Sequence, residues 1–90
     1  MDLKDTIPMM TSDDYKERFK AEYYQTKERY ERLKAFNTKI EASNRTRFTL
    51  NYTGDVKHDC PDDLLYEQQN AMGHYLHILE VRAVIEKIEL

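Results

Sequence analysis

The chain has few of the residues that cross-link or interrupt small proteins. Among its 90 residues there are one cysteine, two glycines, two prolines and no tryptophan. Because Cys60 has no second cysteine to pair with, an internal disulfide is excluded and a reducing compartment is expected. A domain of this length buries only roughly 60–65% of its unfolded surface, so it is marginal without cross-links or further copies of itself. One domain, residues 1–90, is predicted.

The chain also lacks long apolar runs. Its first ten residues, MDLKDTIPMM, have neither a basic start nor an apolar run, so they do not predict a secretory signal. No apolar stretch approaches the ~20 residues that a membrane-spanning helix requires. These absences predict a soluble, intracellular protein with no membrane partner.

Charge is unevenly distributed along the chain, whose net charge is −3. Residues 12–42 contain eight Lys and Arg against seven Asp and Glu, whereas residues 61–90 contain two against six. The two segments would attract each other if they lay antiparallel. The overall balance argues against sequence-independent binding of duplex nucleic acid, which needs a clustered basic face. Small anionic ligands held by a few Lys and Arg remain compatible with it.

Two long segments have apolar residues at helical spacing. Residues 12–42 contain no Gly or Pro, and residues 61–88 are interrupted only by Pro61 at their start and by Gly73. The apolar stripe of the first segment consists of Tyr15, Phe19, Tyr23, Tyr30, Leu33, Phe36 and Ile40. The sequence predicts an all-α fold, a long antiparallel two-helix hairpin with helices at about 12–42 and 61–88 and an irregular connector at 43–60. Gly73 costs about 1 kcal/mol relative to Ala within a helix, and we interpret it as a point of close backbone approach.

Capping residues suggest where the helices begin. Thr11 or Ser12 is predicted to cap the first helix, and Pro61 is predicted at the first position of the second. Pro8 is expected to hold Ile7 in an extended conformation within a lead-in segment.

The connector and the chain end have less regular patterns. Phe48, Leu50 and Tyr52 alternate with polar residues as in a strand, but no second strand is evident, so an irregular connector is predicted. Near the end of the second helix, apolar residues lie around nearly the whole circumference, and one partner helix cannot cover them all. Self-association is therefore predicted.

Known catalytic and metal-binding motifs are missing. The sequence contains no P-loop, GxGxxG, GxSxG or HExxH pattern. His74 and His77 lie three residues apart, yet a closed metal site needs about four suitably placed ligands. Neither an enzyme nor a metal or other cofactor is predicted.

The aromatic residues of the first helix allow two interpretations. Their spacing suits core packing, but Tyr23 and Tyr24 are adjacent and cannot both face the core. Interleaved with Lys and Arg, tyrosines can also stack on bases while the cations hold phosphates. The charges have a simpler interpretation too, because Glu28 with Arg32 and Asp14 with Arg18 are spaced as ion pairs of an exposed helix.

Several runs resemble a group of short phage and prophage proteins. They are residues 14–25 (DYKERFKAEYYQ), 27–33 (KERYERL), 68–76 (QQNAMGHYL) and 79–83 (LEVRA). The group is similar to the helical-hairpin domain of phage anti-CBASS and anti-Thoeris sponges, which sequester cyclic nucleotide signals of bacterial immunity. The resemblance implies a non-enzymatic homo-oligomer, a hexamer or a dimer, in the cytoplasm of the bacterial host. Its partner would be a cyclic di- or trinucleotide, or a cyclic ADP-ribose-type signal.

The resemblance also implies which residues contact such a ligand. Sponges of this kind place a stacking aromatic and cations at the start of the first helix, which here are Tyr15, Lys16, Arg18 and Tyr23. Lys27 would reach a phosphate from the following turns.

Arg82, in the acidic second helix, is expected to form an internal ion pair. The alternative function is a helical protein–protein interaction module of a phage or prophage with no nucleotide ligand.

Overall fold

The computed structural model describes residues 2–90 as an elongated helical hairpin of 54 × 25 × 21 Å. A 3-10 turn, Leu3–Thr6, leads into the short helix α1, Ile7–Met10, which is followed by the long helices α2, Tyr15–Thr46, and α3, Asp62–Glu86. Within the described residues there is no β-strand. The predicted all-α hairpin with an irregular connector is confirmed.

The seam between α2 and α3 follows a heptad pattern. On α2 the seam residues are Phe19, Tyr23, Thr26, Tyr30, Leu33, Asn37 and Ile40, and on α3 they are Leu65, Gln69, Met72, Leu76, Leu79 and Ala83. Each is buried or half-buried, and the alternating steps of three and four residues keep one narrow face of each helix turned toward the other. The helices run antiparallel, since Tyr15 meets Glu86 at one end and Asn37 meets Gln69 further along.

A polar layer interrupts the apolar seam. Asn37 is only 1% exposed, and its amide nitrogen donates to the Leu65 carbonyl (3.1 Å) and to the Gln69 side-chain oxygen (2.8 Å). The Tyr66 hydroxyl donates to the Asn37 carbonyl at 3.1 Å. A buried Asn in a heptad seam favours one register, because any slip leaves its amide without partners.

The first long helix begins later than predicted. Neither Thr11 nor Ser12 is the cap; Asp14 is, and its carboxylate accepts from the Lys16 backbone N–H at 2.9 Å. Ser12 instead accepts from the backbone N–H of Asp14 at 3.1 Å. The polar run thus forms a side-chain turn ahead of the helix, and the residue nearest the helix becomes its cap.

The same helix also ends later than predicted. It continues beyond Ala42 to Thr46, although the pair Ser43 and Asn44 favours termination. The Ser43 hydroxyl donates to the Gly54 carbonyl at 2.8 Å, so it fastens the connector onto α2 instead of terminating the helix.

The lead-in segment is helical, not extended. Ile7 has φ −60° and ψ −48°, so the expectation drawn from Pro8 is wrong. Pro8 lies in the first turn of α1, where its missing N–H leaves no hydrogen bond unmade. Thr6 is fully buried against α2, and the Gln25 side chain donates to its hydroxyl at 3.0 Å. The segment therefore covers a side of α2 that α3 does not reach.

The boundaries of α3 also differ slightly from prediction. Pro61 occupies the position just before the first helical residue and makes no side-chain capping hydrogen bond, and the helix ends at Glu86, two residues earlier than predicted. Lys87 stops it by adopting a left-handed conformation with φ 57°. The Ile88 N–H then donates to the Ala83 carbonyl at 2.8 Å, and Ile88 is buried against the seam.

Lys87→Gly is expected to stabilise the hairpin. A side chain in the left-handed region costs roughly 1–2 kcal/mol, and glycine avoids that cost while losing part of the gain through its freer unfolded chain. We expect the free energy of unfolding to rise by about 0.5–1 kcal/mol in urea titrations. Glu89→Gly, just outside the helix, is the control and should change it by less than about 0.5 kcal/mol.

The outer face of α3 is apolar and uncovered in the single chain. Val84 is 81% exposed and Ile85 72% exposed, while Ile78 and Val81 are also exposed. Opposite them, Leu79 and its neighbours on the seam are buried. The self-association predicted from this distribution stays a prediction. None of the helices in residues 2–90 combines the length and apolar character needed to cross a bilayer.

Candidate ligand-binding groove

A cavity of about 240 Å³ opens beside the seam, near the middle of the hairpin. It is lined by Tyr23, Lys27, Tyr30, Glu31, Gly73, Leu76 and Glu80. We call this set the groove. Aromatic rings and Leu76 supply apolar walls, while one ammonium and two carboxylates supply charge. A flat group with polar edges fits such a lining better than a purely apolar ligand does.

Gly73 lies in close contact with the ring of Tyr30. A Cβ atom at this position would lie 3.3 Å from Cε2 of Tyr30, closer than ordinary van der Waals contact. Glycine therefore lets the Tyr30 ring lie against α3. The sequence predicted a close approach at Gly73 by another backbone, and in this chain the approaching group is a side-chain ring.

Lys27 lies between two cavities. Its ammonium is 5.8 Å from the centre of the Tyr23 ring, within the range of a cation–π contact. A neighbouring cavity of about 170 Å³ shares Lys27 and Glu31 and adds Tyr24 and Glu28. The rings of Tyr23 and Tyr24 meet edge to face at 5.2 Å, so the two adjacent tyrosines serve different cavities.

Lysines form a stripe along the same side of α2. They are Lys16, Lys20, Lys27 and Lys34. Steps of four, seven and seven residues keep them within about 40° of one another around a helix that turns about 100° per residue. Lys20 pairs with Glu17 at 3.8 Å, and the Lys34 ammonium lies 6.0 Å from the Tyr30 ring. The α2 side of the groove thus carries several lysines, with Glu31 among them one turn after Lys27.

The hydroxyl of Tyr23 ties the groove to α3. It donates to Oε2 of Glu80 at 2.7 Å. Burial, followed by this hydrogen bond and the Glu80 charge, raises the pKa of Tyr23 to about 12. The phenol therefore stays neutral at physiological pH and holds the Glu80 carboxylate in a fixed position.

We expect Tyr23 to ionise near pH 12 in the folded chain. The ordinary pKa is 10.0, and the folded value of Tyr23 is about 12. A folded pKa above the unfolded one means that the stabilising contribution of the neutral phenol is complete below pH 10 and is lost as the pH rises toward 12. Phenolate absorbance followed during an alkaline titration measures this step. Because the pKa values of Tyr15, Tyr52 and Tyr75 are also raised, the step is measured as the difference between the unmodified chain and Tyr23→Phe. Identical titrations of the two near pH 12 would contradict the assignment.

Comparison with known protein families identifies the family to which the chain is related. A model of the Sequestin family matches residues 13–85, a span that includes all of α2 and nearly all of α3. The chain belongs to the Sequestin family. No curated protein and no solved structure matches it. The family name agrees with the sequestering role that the sequence resemblance implies.

Within this Sequestin family member, two of the five predicted ligand-binding residues share the groove. Tyr23 and Lys27 line it together. Lys16 belongs to the lysine stripe, about two turns before Tyr23, and is exposed. The structure thus gathers Lys16, Tyr23 and Lys27 along one side of α2.

Tyr15 and Arg18 lie outside this arrangement. The Tyr15 hydroxyl donates to Glu86 at 2.9 Å and accepts from the Arg82 guanidinium at 2.6 Å. Arg18 donates to the Ser12 carbonyl at 2.8 Å, in place of the predicted pair with Asp14. Both residues occupy the end of the hairpin near the chain termini.

Two predicted ion pairs are present. Arg82 pairs with Glu86 at 3.0 Å and lies over the Phe19 ring at 5.1 Å, so its predicted internal role is confirmed. The predicted pair of Glu28 and Arg32 is also formed, at 3.0 Å. In residues 2–90 no group of three or more His, Cys, Asp or Glu side chains is placed to hold a metal ion.

Five of the seven residues that line the groove are not among the ligand contacts predicted from the sequence. Tyr30 belongs to the predicted apolar stripe, and no motif in the sequence marks Glu31 or Glu80. The available signal was the seven-residue spacing of Tyr23 and Tyr30, which repeats an aromatic residue two turns along one side of α2. Glu80 carries no comparable signal, because only the pairing of the helices brings it to Tyr23.

Proposed function

We propose that this chain is a phage anti-defence sponge that binds and sequesters a cyclic oligonucleotide, or a cyclic ADP-ribose-type signal, of bacterial immunity in the cytoplasm of the host. The observation that carries the proposal is the groove itself, in which Tyr23, Tyr30 and Lys27 meet in a member of the Sequestin family. Binding is stoichiometric and reversible, and it removes the signal from its effector.

The rings and the lysines provide complementary contacts for a nucleotide. Stacking of a base on an aromatic ring contributes roughly 1–3 kcal/mol, and we propose the half-buried Tyr30 ring for this contact because Tyr23 is only 6% exposed. Lys27, at the edge of the same cavity, is placed to meet a phosphate through a charge-assisted hydrogen bond. Lys20 and Lys34 lie seven residues to either side, about 10 Å along the helix, where further phosphates of a cyclic ligand would find cations.

The size of the groove supports completion of the site by another copy of the chain. Its volume of about 240 Å³ lies below the roughly 300–1,000 Å³ typical of pockets for whole small molecules. A single chain therefore encloses about one base, and the remainder of the ligand needs a second wall. The exposed outer face of α3, with Val84 and Ile85, supplies apolar surface for the assembly, which we propose is a homo-oligomer, a dimer or a hexamer.

We propose that the bound ligand is not cleaved and is released chemically unchanged. The groove lining contains no serine, threonine, cysteine or histidine, so it offers neither the usual nucleophiles nor a histidine base. Release by denaturation, followed by chromatography, should return the same cyclic nucleotide that was bound.

Isothermal titration with a panel of cyclic di- and trinucleotides and cyclic ADP-ribose isomers tests the proposal. We expect at least one to bind, and Lys27→Ala to weaken that binding by roughly 10- to 100-fold. Lys39→Ala is the matched control, an exposed lysine of α2 outside the groove lining, and should bind normally. A flat response to every member of the panel would remove the proposal.

The same titrations test the residues outside the groove. Lys16→Ala, Arg18→Ala and Tyr15→Ala should weaken binding only if the ligand or a second copy extends toward the end of the hairpin. Normal binding by all three variants would restrict the site to Tyr23, Lys27 and the groove.

The second candidate is a protein-interaction module with no nucleotide ligand. It is favoured by the connector, where Phe48 and Leu50 are fully exposed to solvent. Exposed large apolar side chains of this kind are common at protein contacts. The double variant Phe48→Ser and Leu50→Ser should leave nucleotide binding unchanged if the sponge proposal is right.

A further inference from the structure

We propose that the outer side of α3 is an interface between two copies of this chain, in which α3 packs antiparallel against α3 of the second copy. The inference deepens the homo-oligomer of the proposed function and rests on it for the choice of partner. It names the surface, the orientation of the two hairpins and an ion pair that fixes this orientation.

A second apolar row runs along α3, outside the seam with α2. Its members recur every seven residues and are Leu64, Ala71, Ile78 and Ile85, and all four are exposed in the single chain. Leu64 is 51% exposed, Ile78 42% and Ile85 72%. Seven residues are about two turns, so the row stays on one side of the helix. A sustained seven-residue repeat of apolar side chains is the pattern with which one helix packs against another.

The row is complementary to itself when it is reversed. Turning one α3 by half a rotation about the midpoint of the row sets Leu64 level with Ile85 of the second copy. The same operation sets Ala71 level with Ile78, so that a small side chain lies opposite a large one. Because one patch serves both copies, the contact closes on itself as a twofold dimer and does not propagate.

Charges near the two ends of the row favour this antiparallel orientation. Glu67 lies three residues after Leu64, and Arg82 lies three residues before Ile85. In the antiparallel register Glu67 is therefore level with Arg82 of the second copy, and the pair occurs twice. A parallel arrangement would instead place Glu67 beside Glu67 and Arg82 beside Arg82, and like charges across an interface are unfavourable.

Arg82 can form this contact without giving up its own partners. Its guanidinium pairs with Glu86 at 3.0 Å and donates to the Tyr15 hydroxyl at 2.6 Å. A guanidinium has five N–H donors, and the Arg82 side chain is 48% exposed, so it can bind a second carboxylate.

The pairing leaves the groove accessible. Gly73 and Glu80, which line the groove from α3, each follow a member of the row by two residues. Two residues correspond to about 200° around the helix, so the groove and the row lie on different sides of α3. A ligand or a further copy can therefore reach the groove in each half of the dimer.

Sedimentation equilibrium of the full chain without ligand tests the interface. We expect a dimer at micromolar concentration. Ile78→Asp should weaken it by roughly 100-fold, because a carboxylate would be buried in the middle of the contact. Glu41→Arg, a charge reversal at an exposed position of α2, is the control and should dimerise normally. A chain that stays monomeric, or a dimer that Ile78→Asp leaves unchanged, would overturn the inference.

A charge exchange tests the orientation. Glu67→Arg and Arg82→Glu should each weaken the dimer by about 10-fold, because both ends then bring like charges together. An equal mixture of the two variants should recover affinity to within about threefold of the unmodified chain, since every arginine again faces a glutamate. No recovery in the mixture would overturn the antiparallel pairing.

A second mixture covers the case in which Arg82→Glu does not fold. Glu67→Arg mixed with the unmodified chain should give a heterodimer of intermediate affinity, because one of its two ion pairs is kept. A heterodimer tighter than either parent would show parallel helices and overturn the proposal. Nucleotide binding by a monomeric chain would overturn this inference alone, whereas a dimer that binds no cyclic nucleotide would support it and remove the sponge proposal.

Discussion

Gly73→Leu is expected to abolish ligand binding while leaving the hairpin folded. Even a Cβ atom at this position would lie 3.3 Å from the Tyr30 ring, and a leucine side chain extends further into the cavity. Either the Tyr30 ring moves or the cavity is filled, and either change alters the ring surface that Tyr30 offers to a ligand. Loss of stacking at roughly 1–3 kcal/mol, with the cost of forcing a ligand into an overfilled cavity, predicts a loss of affinity of at least about 100-fold.

The stability of this variant should change little. Replacing a mid-helix glycine with leucine favours the helix by about 0.8–1 kcal/mol, and this offsets the strain of displacing a half-buried ring. We expect the free energy of unfolding in urea to remain within about 1 kcal/mol of the original. Gly73→Ala, with a smaller side chain, should lie between the two in affinity.

Asn70→Leu provides the control for added bulk on α3. Asn70 is exposed, lies about one turn before Gly73 and is outside the groove lining. It should bind ligand normally. If Gly73→Leu and Asn70→Leu both bind the ligand with unchanged affinity, the groove is not the ligand-binding site.

The fold was largely predictable because its signals are local. Phe19, Tyr23 and Ile40 belong to a repeating apolar stripe, and a stripe of that kind is buried wherever a partner helix lies. The errors arose where several polar residues competed for one role. Ser12 and Asp14 both favour a helix start, and only the geometry of the turn decides that Asp14 becomes the cap.

The groove was only partly predictable because its parts come from distant positions. Tyr30 and Gly73 are far apart in sequence, and their contact depends on the register that Asn37 and Gln69 share. Tyr23 was singled out as a ligand residue, but nothing near it in the sequence indicates that Glu80 will hold its hydroxyl. The pairing of α2 with α3 brings Glu80 to Tyr23, and the periodicity of a single helix does not encode that pairing.

Leu79→Ala is expected to have the largest effect on stability. Leu79 is only 2% exposed and lies at the centre of the cluster formed with Phe19, Leu76 and Ala83. Truncating a buried leucine removes its transfer free energy and leaves a cavity, at a cost of about 2–5 kcal/mol. A chain of 90 residues has roughly 5–13 kcal/mol of total stability, so the variant should unfold at a much lower urea concentration.

Val84→Ala is the matched control, because Val84 is on the same helix and 81% exposed. In a single chain its truncation should cost less than about 0.5 kcal/mol. If copies of the chain cover the outer face of α3, however, that cost should grow as the protein concentration rises, whereas the intrachain cost of Leu79→Ala is already present in the single chain. Urea titrations at two concentrations separate these cases. A constant, negligible cost for Val84→Ala would argue that this face stays open to water, and a cost for Leu79→Ala below about 1 kcal/mol would contradict the packing of the seam itself.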